Sequence, residues 1–143
     1  MTKKILIVED NPELHEMFRM KFEKWWFEVH IAEDGFAGLW KAVDENPDII
    51  LLDIMMPNMD GFETLQTIKN QTSLDTKIII FSNVKNNAHV EKAKKLWADD
   101  YLVKSDNTPA QVYDKVMEVL GLWTLEKQNI TCPHCWWKID IDK

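Results

Sequence analysis

"DIILLD", residues 48–53, sets four consecutive aliphatic side chains, Ile49 to Leu52, between two aspartates. A half-exposed strand alternates apolar with polar residues. An unbroken β-rich run of this length is instead covered on both faces, as at the centre of a parallel sheet. Working outward, "KKILIV" (3–8) and "KIIIF" (77–81) read the same way, and "FEVHIA" (27–32) and "DYLV" (100–103) add two shorter strands. Helical patterns fill the gaps. Leu14, Phe18 and Phe22 recur at helical spacing with Met17 beside them, after Pro12 at a helix start. "DGFAGLWKAVDEN" (34–46) stops at Pro47, and "GFETLQTIKN" (61–70) and "NAHVEKAKKL" (87–96) follow. "TPAQVYDKVMEVLGL" (108–122) opens with Thr108 as N-cap and Pro109 in the first helical position. Five strands alternating with five helices predict a doubly wound α/β domain with right-handed crossovers and helices on both faces of a parallel sheet. Ligands of such a sheet bind beyond the carboxyl ends of its strands.

The residues that close each strand are therefore the candidates for chemistry. They are Glu9 and Asp10 after the first, Asp53 after the third, Ser82 after the fourth and Lys104 after the fifth. Carboxylates converging on one rim repel one another unless a cation sits among them, and a hard, all-oxygen donor set suits Mg²⁺. With that ion, Asp53 is a plausible nucleophile toward a phosphoryl group, as in aspartyl-phosphate chemistry. Lys104 would balance the phosphoryl charge and the Ser82 hydroxyl would bond one of its oxygens. An ionised carboxylate needs no general base for that step.

The stretches "ILIVEDNP", "DIILLDIMMPNMDG", "IIIFSN" and "DDYLVKSD" resemble the receiver domain of two-component response regulators, across residues 3 to 122. The resemblance implies a flavodoxin-like strand order 2-1-3-4-5. It implies a metal-binding acidic pair (Glu9, Asp10), a phosphoacceptor (Asp53), a hydroxyl switch residue (Ser82) and the site lysine (Lys104). It further implies that Met55 lends its backbone carbonyl to the metal, and that Tyr101 is an aromatic switch that turns inward as Ser82 moves toward the phosphoryl group. The partners implied are a histidine kinase or phosphotransfer protein upstream and a protein target downstream, and the domain would catalyse its own phosphorylation and dephosphorylation. Ser105 stands where receivers usually carry a proline after a cis bond, which a non-proline residue disfavours. Two rival readings remain: a receiver-fold module that takes no phosphoryl group, and a phosphatase of the haloacid dehalogenase type, whose D-x-D motif has its second acid where Met55 stands.

At 143 residues the chain suits one domain, residues 1–122, with a tail at 123–143. A net charge of −7 disfavours nucleic acid and anionic membrane surfaces as partners, and no apolar stretch is long enough to span a bilayer. A cytoplasmic, stand-alone signalling protein acting by protein contact is the expectation. The tail carries the two cysteines, Cys132 and Cys135, as C-x-x-C, half of a Zn²⁺ site. Two tails in a homodimer would complete four thiolates, and a free dithiol is the alternative. Met55, Met56 and Met59 read as gap fillers, and His15, His30 and His89 as scattered residues without a second ligand at metal spacing.

One total stands out. The chain has seven tryptophans and four glycines, where average usage gives about 7 per cent glycine, roughly ten residues. In the resemblance, "EKWWFEV" and "KKLWADDYLVK" put Trp25, Trp26 and Trp97 where receivers have glycine, and "CPHCWW" resembles the "CPxCG" knuckle of zinc ribbons. The reading that unites them is a gene in which UGA encodes glycine, translated as tryptophan at 25, 26, 40, 97, 123, 136 and 137; deliberate engineering, or true tryptophans used for packing or as a partner surface, is the alternative. Crowding or altered turns near Trp26 and Trp97 are then expected.

Overall fold

The computed structural model describes residues 3–55, 60–71, 75–83 and 86–122. In chain order the elements are β1 (Lys4–Val8), α1 (Pro12–Lys24), β2 (Glu28–Ala32), α2 (Gly35–Glu45), β3 (Ile49–Leu52), α3 (Gly61–Gln71), β4 (Lys77–Ser82), α4 (Asn87–Lys95), β5 (Asp100–Val103), a single 3₁₀ turn (Lys104–Asp106) and α5 (Pro109–Leu120). All strand pairs are parallel and the order is β2-β1-β3-β4-β5. The doubly wound sheet and its strand order are thus as expected, with strand ends differing by one residue.

Alternation along each strand sorts the side chains into two cores. Leu6, Val8, Ile50, Leu52 and Ile80 pack with Leu65 and Ile68 of α3 and Ala93 of α4 on one face. Ile5, Ile7, Ile49, Leu51 and Ile79 pack with Phe18 and Phe22 of α1 and Val112 and Val116 of α5 on the other. Every residue of β3 is buried, which is why its sequence shows no polar alternation. Local chemistry sets the helix starts. The Asn11 side chain accepts from the Glu13 amide, the Asp34 side chain from Ala37, and Thr108 and Gln111 form a reciprocal capping box before Pro109. Asp34, read in the sequence as helical, is the cap.

The register aligns the strand ends. Val8 pairs with Leu52, Leu52 with Ile80 and Ser82 with Val103, so the residues that follow emerge along one rim. Behind β5, Lys115 and Asp100 form a buried ion pair at 3.1 Å, with Glu118 at 3.2 Å from the same ammonium. Burial pushes the Asp100 carboxyl above its usual value, against the pull of Lys115. Among the described residues no helix is long and apolar enough to cross a membrane.

Candidate functional site

Asp53 follows β3 directly and is buried; its amide donates to the Val8 carbonyl, which ties the acid to the end of β1. Its two carboxylate oxygens are held differently. Oδ1 accepts from the Met55 amide at 3.2 Å and Oδ2 from the Lys104 ammonium at 3.0 Å. Lys104 leaves the end of β5 in the 3₁₀ turn, and the same ammonium forms an ion pair with buried Glu9. Glu9 closes β1, with its amide donating to Ala32 and its Oε2 accepting from the Asn11 amide. Asp10 is exposed beside it.

Glu9, Asp10 and Asp53 each place a carboxylate oxygen within 4.8 Å of the others. Three hard oxygen donors, two on buried residues and one open to solvent, fit Mg²⁺, which takes a few carboxylates and keeps waters in its remaining positions. The electrostatics point the same way. Burial pushes the Glu9 carboxyl above the usual carboxylate range, and Asp10 and Asp53 add to the push while Lys104 opposes it. Burial draws the Lys104 ammonium down, but its contacts with Glu9 and Asp53 outweigh burial and hold it above the ordinary lysine value. The site thus has more negative charge than one ammonium offsets.

Ser82 ends β4 with no exposure, and its side chain is hydrogen-bonded with the Tyr101 hydroxyl. Tyr101 is buried, its ring packed in the core that also holds Leu52 and Ile80. Burial raises its hydroxyl pKa, Asp53 raises it further, and the Ser82 bond works against both. The Tyr101 ring thus lies inside the fold, with its hydroxyl against Ser82. Met55 is exposed. Met56 and Met59 lie outside the described residues, as do Cys132, Cys135 and the rest of residues 123–143, so the zinc reading stands on spacing alone. No described peptide bond is cis, including the one before Ser105.

Two residues that sequence reading passed over support the site. Gly61 opens α3 against the Asp53 loop: its amide donates to Ile54, and a Cβ there would lie 2.4 Å from the Asp53 carbonyl oxygen. His15, on the first turn of α1 and almost fully buried, bonds the Glu9 carbonyl oxygen through Nε2 at 2.5 Å. Its distance of six residues from Glu9, across a strand-to-helix turn, was the available signal. The expectation that no histidine has partners at metal spacing needs correction for His30. The β2-to-β1 register brings it to Glu28 at 2.7 Å and Glu45 at 3.4 Å. Lys4 lies 3.7 Å from both of those acids, so the group is a surface ion-pair network at the opposite end of β1.

Residues 5–116 match the family model for the response regulator receiver domain. The chain belongs to that family. Among curated proteins, this receiver is 32% identical over 120 residues to the alkaline phosphatase synthesis transcriptional regulatory protein PhoP of Bacillus subtilis, covering 84% of this chain and 49% of PhoP. It is 32% identical over 102 residues to protein PilG of Pseudomonas aeruginosa, covering 71% of this chain and 76% of PilG. The chain spans about half the length of most of the curated relatives it matches. Among solved structures, a CheY-like receiver domain protein from Methanospirillum hungatei superposes with a TM-score of 0.78 at 27% identity, covering 85% of this chain and 95% of that one. The receiver's likeness extends to a BeF3-activated receiver domain of RstA from Klebsiella pneumoniae, at a TM-score of 0.76 and 25% identity over 82% of this chain and 98% of that one.

Proposed function

We propose that this receiver accepts a phosphoryl group on Asp53 from a histidine kinase or phosphotransfer protein. The observation that carries the reading is the position of one buried aspartate between a lysine and two further acids. Glu9, Asp10 and Asp53, with the Met55 carbonyl, would hold Mg²⁺, which when bound neutralises charge on the phosphoryl oxygens. An Asp53 carboxylate oxygen attacks phosphorus, the phosphorus–nitrogen bond of the donor phosphohistidine breaks, and the electron pair leaves with the imidazole. Because the nucleophile is ionised, no proton is removed from it. Lys104 releases Asp53 Oδ2 toward the incoming group and balances its charge, and the Ser82 hydroxyl moves from the Tyr101 hydroxyl to a phosphoryl oxygen.

That last exchange links chemistry to output. A Ser82–Tyr101 bond that changes partner shifts the population of the surface formed by β5 and its neighbouring helices, and a downstream protein reads that surface. The net charge of −7 favours a protein over nucleic acid as the partner of these residues. Residues 123–143 form a separate tail in this proposal, its Cys132 and Cys135 pairing with a second tail around Zn²⁺. Zinc analysis and particle size, with and without the tail, test that part.

The test of the main reading is incubation with acetyl phosphate and Mg²⁺, followed by intact mass. A gain of one phosphoryl group that Asp53→Ala abolishes supports the receiver. Turnover of many phosphomonoesters supports the phosphatase instead, and no gain supports the inert module.

A further inference from the structure

Among the described residues, three helices end in the same hydrogen-bonded motif. After α5, the Leu122 amide donates to Met117 and the Gly121 amide to Glu118. After α1, the Phe27 amide donates to Phe22 and the Trp26 amide to Glu23. After α4, the Ala98 amide donates to Ala93 and the Trp97 amide to Lys94. Each is a Schellman ending, with its paired six-to-one and five-to-two bonds, and each needs a left-handed residue at its penultimate position. The φ values there are +71° at Gly121, +72° at Trp26 and +71° at Trp97. The motif that Gly121 fills without strain is filled twice by the bulkiest side chain available. The other left-handed residue described, Asn46 at φ +48°, is of a type that tolerates the region. Bulky residues at positive φ are genuine outliers, and two in identical motifs call for one explanation.

The surroundings supply no reason for an indole. Tryptophan is on average a highly buried residue, yet Trp26 is 82% exposed, Trp97 72%, Trp40 70% and Trp25 48%. None of them enters either core. Among the described residues, Trp25 alone of the four meets another ring, Tyr113 at 5.6 Å, from the rim. The backbone at 26 and 97 is built for glycine, and the side chains contribute no burial that would favour tryptophan instead.

We propose that the native residue at positions 26 and 97 is glycine, and that the tryptophans arise from a UGA codon that the source organism reads as glycine. The same codon then stands at 25, 40, 123, 136 and 137. The native chain would have eleven glycines, its four plus seven, close to ordinary usage, and no tryptophan. The exposed indoles at the end of α1, Trp25 and Trp26, would not exist in the cell, so they form no docking surface.

Two measurements decide this together: the codons in the source genomic DNA, and the masses of peptides spanning residues 26 and 97 from protein made in the source organism. The expected result is UGA at all seven positions, with native peptides lighter by the tryptophan-to-glycine difference at each. A UGG codon at 26 or 97 overturns the proposal. So do UGA codons accompanied by peptides that retain the indole mass.

Discussion

Replacing Trp97 by glycine in the tryptophan-bearing protein should make it more stable, although it deletes the largest side chain. A non-glycine residue in the left-handed region costs about 1–2 kcal/mol. Against that, glycine adds freedom to the unfolded chain, worth about 0.4–1 kcal/mol. With Trp97 72% exposed, little apolar burial is lost. The net gain is about 0–1.6 kcal/mol, with a midpoint of about 0.8 kcal/mol, and Trp26, at φ +72° and 82% exposed, should gain as much. The two turns lie on opposite faces of the sheet, after α4 and after α1, so the double variant should be additive within about 0.5 kcal/mol. A combined gain near the midpoint of about 1.6 kcal/mol raises Tm by roughly 5–8 °C in a domain this size. Urea unfolding followed by far-ultraviolet circular dichroism reads it without relying on tryptophan emission. Three controls isolate the cause. Trp97→Ala removes the indole but keeps the strained φ, so it should change stability by less than about 0.5 kcal/mol. Trp40→Gly, inside α2, should destabilise by about 0.5–1 kcal/mol, because the helix gains nothing from glycine's freedom. Trp25→Gly, at φ −105° and against Tyr113, should also destabilise. If Trp97→Gly and Trp40→Gly shift stability in the same direction, the argument from backbone strain is refuted.

Four further outcomes follow from the site and its supports. His15→Leu should weaken Mg²⁺ affinity and slow phosphorylation by acetyl phosphate about tenfold, in the range of lost outer-shell partners, with His15→Gln restoring both by donating to the Glu9 carbonyl; equal loss in the two variants would reduce His15 to packing. Gly61→Ala should cost about 1–3 kcal/mol in urea and lower phosphorylation, since its Cβ would press on the Asp53 carbonyl oxygen at 2.4 Å; an unchanged variant would contradict the close approach. Glu9 has a raised folded-state pKa, so its stabilising contribution is present below its ordinary value of 4.5 and lost as pH rises through the raised value. Without Mg²⁺, the wild type should therefore lose stability relative to Glu9→Gln across that window, and a gain would show that Lys104 more than offsets burial. Lys115→Ala leaves Asp100 buried and unpaired and should cost about 3–5 kcal/mol, whereas a loss near 1 kcal/mol would mean that water reaches the acid.

How much of this could be read from the sequence depended on how local the cause was. The strand runs around Ile49–Leu52 and Ile78–Phe81 announced themselves because burial on both faces removes polar alternation. Asp53, Ser82 and Lys104 were legible because a parallel sheet puts every strand's carboxyl end on one side, so the residue after each run is a candidate before any coordinates exist. Other features had no local trace. Lys115 looks like any helix-surface lysine until β5 places Asp100 beside it. His30 gains Glu45 only through the pairing of β2 with β1 and the return of α2. Gly61 is one of four glycines, and only the path of the Asp53 loop marks it as a position where a methyl group would meet backbone.

The left-handed turn at Trp97 also bears on the site. It hands the chain to Asp99, whose amide donates to the Ile78 carbonyl and whose Oδ2 accepts from the Ile78 amide, clamping the entry of β5 to β4. Lys69 reinforces the clamp from α3, at 3.2 Å from the same oxygen. From there Ile79 pairs with Asp100 and Ser82 with Val103, and the next residue is Lys104. A one-residue slip at the turn would move Lys104 along the rim and send Tyr101 to the opposite face, breaking its bond with Ser82. The conformational freedom demanded at position 97 is therefore part of what delivers the lysine to Asp53, seven residues and one strand away. A residue that strains this turn weakens the register on which the proposed phosphoryl site depends, which is a physical reason for glycine there.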